Sequence, residues 1–267
     1  MNFADIDRRL ANADAVLVRI EATEGSAPRE AGTWMLVFAD AVAGTIGGGQ
    51  LEFQAIERAR ALLAPSAPSQ PQVERYPLGP SLGQCCGGVV HLRFERVGAA
   101  DRGTLPRRLA IARAPLALFG GGLVGRALVQ VLSMLPYAIT WIDSRDGIFP
   151  EGLPPEVQCE HSDPVQAAVP TLAPGSQVLV MSFSHAEDLD IVAACLRRQR
   201  EHADLGFIGL IGSKTKWATF RHRLEQRGFT EAELAQVTCP IGIPGITGKE
   251  PEVIAVSVAA QLLLQGR

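Results

Sequence analysis

Apolar positions follow two different rhythms in the two halves of the chain. In the first hundred residues they come as short runs cut by turns. Phe3, Ile6 and Leu10 fall on one side of a helix spanning Asn2 to Ala13, and Ala15 to Ile20 and Thr33 to Phe38 then read as strands around the turn Gly25 to Pro28. A strand through Ala43 ends in Gly47, Gly48 and Gly49. After it, Leu51, Ala55, Ile56, Ala59 and Leu62 repeat at near-helical spacing, which predicts a helix to about Leu63 with Glu52 at its positive end. Ala64 to Gln72 is proline-rich and reads as a surface loop, and Gln72 to Tyr76 and Val89 to Val97 complete a small sheet.

The second half alternates buried strands with amphipathic helices. Pro115 to Phe119 is an apolar strand. Gly120-Gly121-Gly122-Leu123-Val124-Gly125 then opens a helix to about Leu135, and Ala138 to Ile142 is a strand ending at Asp143. A G-x-G-x-x-G between strand and helix, with an acid at the end of the next strand, is the signature of a Rossmann-like fold. Strands at Glu156 to Cys159, Gln177 to Phe183 and Gly206 to Ile211 alternate with helices at Ala186 to Arg200 and Ser213 to Gln226. That alternation implies a parallel sheet with right-handed crossovers. A loop punctuated by glycine and proline, Cys239 to Glu252, leads into a last helix, Pro251 to Leu264. The expected fold class is therefore α/β: a C-terminal Rossmann-like parallel sheet over residues 115–267, a smaller N-terminal α+β domain over residues 1–98, and an arginine-rich linker over residues 99–114.

Composition narrows the function classes. Of the 267 residues, 47% are hydrophobic and 20% charged, as in a folded globular protein, and the net charge is only −3 with scattered Lys and Arg. Nucleic acid and anionic membranes are thus not expected partners. No apolar run reaches the roughly 20 residues a membrane helix needs, and Met1 to Asp14 is charged rather than signal-like, so a cytoplasmic protein is expected. The five cysteines, Cys85, Cys86, Cys159, Cys195 and Cys239, form no disulfide framework and no C-x-x-C zinc spacing.

Candidate chemistry concentrates in three places. Leu78 to Val90 sets Cys85 and Cys86 among Gly83, Gly87 and Gly88, so the thiols are either accessible and reactive or small hydrophobes at the start of a strand. Gly47 to Gly49, with Thr45, form either a tight turn or a set of unpaired N–H groups able to receive an anion. The third place is the carboxyl edge of the parallel sheet, where ligands of such folds sit. It gathers Gly120, Gly122 and Gly125, Asp143 with Arg145, Ser182 to His185, Ser213 as a helix cap beside Lys214 and Lys216, and Lys249. Cys159, Cys195 and Cys239 read as packing residues and His91 as structural. Ser184, His185 and Asp188 or Asp190 invite a triad, but no G-x-S-x-G elbow is present, and a hydrolase is rejected.

The segments Gly44 to Glu52, Leu78 to Gly88, Gly120 to Gly125, Ile208 to Lys214 and Cys239 to Glu252, in this order over nearly the whole chain, resemble the xanthine dehydrogenase accessory protein family, XdhC/CoxI. The resemblance implies a molybdenum-cofactor chaperone, often dimeric. Such a protein protects the finished cofactor while a cysteine desulfurase supplies its sulfido ligand, and promotes insertion into a xanthine dehydrogenase-type apoenzyme. Cys86 to Gly88 is the steadier part of the family pattern, so Cys86, ahead of Cys85, is expected to meet the molybdenum. A soft thiolate suits that sulfur-rich centre, and glycine-bearing helix N-termini suit the cofactor phosphate. The expected cofactor-binding set is Cys85, Cys86, Gly47, Gly48, Gly49, Gly120, Gly122, Gly125, Asp143, Ser213, Lys214 and Lys249, with no catalytic residue. The competing reading is an NAD(P)-dependent oxidoreductase in which Asp143 accepts from a ribose hydroxyl. A redox-responsive protein with a Cys85–Cys86 disulfide is a third.

Overall fold

A computed structural model describes residues 3–68, 70–79, 87–109 and 112–265. The chain divides into two units, Met1–Ala110 and Ile111–Arg267. In the first, α1 (Phe3–Leu10) leads into β1 (Ala15–Glu24), β2 (Trp34–Val37) and β3 (Val42–Gly44). Then come α2 (Gly49–Ala61), β4 (Gln72–Pro77), β5 (Val89–Val97) and the short α3 (Leu105–Leu109). The strands form an antiparallel sheet in the order β3-β2-β1-β5-β4.

Both faces of this sheet are covered. Val16, Val18 and Ile20 of β1 and Leu92 and Phe94 of β5 pack with Leu51, Ala55 and Ala59 of α2. On the opposite face Leu17, Leu36 and Val97 pack with Ile6 and Leu10 of α1 and Leu105 and Leu109 of α3. The arginine-rich stretch after β5 is therefore not a bare connection, because its two leucines complete a core. Two of its arginines are paired with the first unit, Arg102 with Asp7 at 2.6 Å and Arg108 with Glu95 at 2.7 Å, while Arg107 is exposed.

The second unit runs β6 (Ala114–Phe119), α4 (Leu123–Leu132), β7 (Tyr137–Asp143) and β8 (Val157–His161), followed by a 3-10 segment, Val165–Thr171. It continues with β9 (Gln177–Val180), α5 (His185–His202), β10 (Phe207–Leu210) and α6 (Lys214–Gln226). Last come α7 (Glu231–Leu234), β11 (Val237–Thr238) and α8 (Pro251–Leu264). Six parallel strands lie in the order β8-β7-β6-β9-β10-β11, the doubly wound order in which the direction of winding reverses between β6 and β9. Leu116, Leu118 and Trp141 pack with α4 and α8 on one face. Phe119, Ile142, Val178 and Val180 pack with α5 and α6 on the other.

Two boundaries differ from the sequence pattern for local reasons. The last helical residue of α4 is Leu132 rather than Leu135, because Pro136 disfavours helical geometry at the residue before it. β9 ends at Val180 although the apolar run continues to Phe183. There the backbone leaves the ladder, and the N–H groups of Ser182 and Phe183 donate to the side chains of Asp188 and Glu187, at 2.8 and 3.1 Å.

Candidate functional site

The turn after β6 is built from glycines for two distinct reasons. Gly120 has φ +126°, and a Cβ there would sit 2.0 Å from the Met181 carbonyl oxygen. At Gly125 a Cβ would sit 2.0 Å from the Gly120 carbonyl oxygen, so α4 can approach the strand only through glycine. The same carbonyl accepts a 2.9 Å hydrogen bond from the buried Trp141 indole. Gly122 differs from both. Nothing lies within 4 Å of its missing Cβ, it is exposed, and it begins α4 with no side-chain cap, leaving the positive helix end approachable.

Asp143 closes the other side of this turn. Its carboxylate is 2% exposed and accepts from four N–H donors: the Gly121 backbone at 2.6 Å, and the Arg145 backbone, Nε and Nη2, each at 2.9 Å. Burial works to raise its pKa, but the Arg145 guanidinium and the two backbone N–H groups outweigh it and hold the carboxyl below its ordinary range. Ile148 lies over Gly121, 2.6 Å from where a Cβ would be, and its carbonyl accepts from Arg126 at 3.0 Å. The expectation that Asp143 accepts from a ribose hydroxyl meets a carboxylate that is already saturated. Arg145 in turn stacks its guanidinium over the ring of Phe183, 4.7 Å from the centroid.

Farther along the edge, Asp188 accepts from the Ser182 hydroxyl at 2.7 Å and from Lys216 Nζ at 2.7 Å, and Lys216 also donates to the Ile211 carbonyl at 2.8 Å. Ser213 caps α6 as expected, accepting from the Lys216 N–H at 3.1 Å. Lys216 is thus committed to the protein, whereas Lys214 and Lys249 are exposed. Ser184 caps α5, and Asp190 pairs with Arg227 at 2.7 Å, so the serine and the aspartates that suggest a triad each hold a structural post. His185 is exposed and meets Phe220 edge-on. His91 reaches Glu24 at 2.8 Å.

The remaining cysteines separate by burial. Cys195 is fully buried, which pushes its thiol up to about 12. Burial pushes Cys239 up to about 11, Lys216 partly opposing and Asp188 adding to it. Cys159 is exposed, contrary to the packing expectation, because β8 is an edge strand with an incompletely covered face. Among the described residues no group of three or more His, Cys, Asp or Glu side chains is placed to hold a metal ion.

In the first unit the turn through Gly47, Gly48 and Gly49 is occupied from within. Glu52 Oε2 accepts from the Thr45 hydroxyl at 2.5 Å, the Ile46 N–H at 2.9 Å and the Gly48 N–H at 3.1 Å. Burial would raise this carboxyl, but the Thr45 hydroxyl and the N–H groups of Gly48, Ile46 and Gly47 hold it below its ordinary value. The N–H groups of Ile46 and Gly48 are therefore paired, the Gly47 N–H goes to the Thr45 hydroxyl at 3.0 Å, and an incoming anion would meet a carboxylate. The positions of Thr45 and Glu52 on either side of the glycines carried this signal in the sequence. Gly88 packs on backbone, its missing Cβ 2.2 Å from the Ser26 carbonyl oxygen, while Gly87 has open space around it. Cys85 and Cys86 lie outside the described residues.

Comparison with known proteins completes the picture. A family model described as the XdhC Rossmann domain matches residues 116–262, and one described as the XdhC and CoxI family matches residues 9–77. The uncharacterized protein YqeB of Escherichia coli (strain K12) is 29% identical over 255 residues, covering 94% of this chain but 43% of the relative, so the chain spans less than half of that protein. A crystal structure described as a xanthine dehydrogenase from Bacillus halodurans superposes with a TM-score of 0.78 at 20% identity, over 99% of this chain and 96% of the other, a likeness of fold.

Proposed function

This chain belongs to the XdhC and CoxI family, and from that premise we propose that it serves in maturation of a xanthine dehydrogenase-type enzyme, carrying the molybdenum cofactor as cargo. The observation that carries this reading over a dinucleotide-dependent oxidoreductase is the state of Asp143. With four N–H donors already on its carboxylate and Ile148 laid over Gly121, the ribose-recognising half of a dinucleotide site has no acceptor to offer. The phosphate-receiving half is retained, because Gly122 leaves the N-terminus of α4 open. The result suits a phosphate-bearing ligand without a second nucleotide. In this proposal the α4 N-terminus at Gly122 receives the phosphate, Gly120 and Gly125 let strand and helix close up beneath it, Asp143 holds the turn in shape, and Ser213, Lys214 and Lys249 border the same edge. The Cys86 thiol, aided by Cys85, is the soft group for molybdenum.

The apoenzyme and a cysteine desulfurase are the proposed partners, with a homodimer as the working assembly. No described helix is long and apolar enough to cross a membrane. Protein purified from a cofactor-producing cell is expected to contain molybdenum and pterin and to activate apo-dehydrogenase. Cys86→Ala should lose both properties. Retention of cofactor at wild-type stoichiometry by Cys86→Ala, with full activation, would remove the thiol role. Tight NAD binding with hydride transfer would replace the whole reading.

A further inference from the structure

We propose that Arg145 and Phe183 form a preorganised stacking platform for a flat heterocycle bearing an anionic group, a deepening of the cargo reading that rests on it. Phe183 is 66% exposed immediately beyond the end of β9. A solitary exposed aromatic has no special meaning, but this one is held on both sides. Its backbone N–H donates to Glu187 Oε2 at 3.1 Å, and Glu187 Oε1 accepts the Ser144 hydroxyl at 2.6 Å, so one carboxylate ties the β7 loop to the β9 loop.

The cation over the ring is fixed as well. Arg145 Nε and Nη2 each donate to Asp143 at 2.9 Å, and Asp143 is itself held by the Gly121 N–H at 2.6 Å. The orientation of the guanidinium is therefore set before any ligand arrives. Its Nη1 donors have no protein partner among the described residues.

Because β7 and β9 are the two neighbours of β6, the Arg145–Phe183 pair spans the carboxyl end of β6, where the glycine turn begins. Three kinds of recognition thus lie along one edge: an aromatic face, a fixed guanidinium with spare donors, and the open helix end at Gly122. An aromatic face accepts flat rings of any edge pattern, the spare guanidinium donors bind acceptor atoms of a ligand, and the helix end favours negative charge. A pterin with a phosphate arm fits this chemistry, its ring on Phe183 and its anionic group toward Arg145 and α4.

The test uses the full chain with molybdenum cofactor released from a molybdoenzyme, following quenching of pterin fluorescence and the dissociation constant. Phe183→Leu should weaken binding by about tenfold and lose the quenching, as removal of one stacking partner does. Phe183→Tyr should keep both, and both variants should melt with the wild type. Binding and quenching by Phe183→Leu at the wild-type level would overturn the platform and leave the cargo reading standing. Equal losses in Phe183→Leu and Phe183→Tyr at unchanged melting would also overturn it. Failure of the wild type to bind the cofactor would sink both proposals.

Discussion

At the scale of single residues, two carboxylates each hold a glycine turn together from inside. Glu52 gathers the Thr45 hydroxyl and two backbone N–H groups, so Glu52→Gln, which withdraws the charged acceptor, should cost the fold about 1–3 kcal/mol at pH 7 in urea unfolding. The sign of the pH dependence follows from its lowered pKa. Its contribution is complete above the ordinary value of 4.5 and is lost as pH falls through the lower folded value, so the gap between wild type and variant should narrow in acid. Asp143 behaves alike below its ordinary value of 3.8. Thiol reactivity gives a second residue-level prediction. With iodoacetamide at pH 8, Cys159 should react ahead of Cys195 and Cys239, whose burial holds them protonated, as peptide mass spectrometry would record.

At the scale of elements, the contact of α4 with β6 depends on the absence of one methyl group. Gly125→Ala should lower the melting temperature by several degrees, because the Gly120 carbonyl cannot retreat without moving the strand end. Trp141→Phe leaves that same buried carbonyl without its indole donor and should cost about 1–3 kcal/mol. Ser213→Ala should cost about 1 kcal/mol through the lost cap on α6. Most of these elements were legible beforehand. Helix α8 and strand β5 match the expected spans, since Pro251 marks one start and alternation marks the other. The end of β9 was not legible: the apolar run Val180, Met181 and Phe183 looks continuous, and only the carboxylates of Asp188 and Glu187, arriving from α5, draw the backbone away.

At the scale of the whole molecule, each unit is stabilised by its own buried clusters. Hydrogen exchange should therefore localise the damage: Glu52→Gln should raise exchange around β3 and α2, and Trp141→Phe around β6 and β7, each leaving the other unit protected. The chain by itself determined the α/β class, the parallel sheet and the Rossmann-like turn. Those features follow from hydrophobic period and from glycine, which act locally and leave their mark in spacing. It also carried the family resemblance, through short motifs in order. What only the tertiary structure decided is which polar groups are free. Glycines promise open N–H groups, yet the turn at Gly47 is filled by Glu52 while the one at Gly122 stays open. Asp143 looks like a ligand for ribose, yet it faces inward onto Gly121 and Arg145. Whether a hydrogen-bonding group waits for a ligand or is spent on the fold depends on what reaches it in three dimensions, and residue type does not record that.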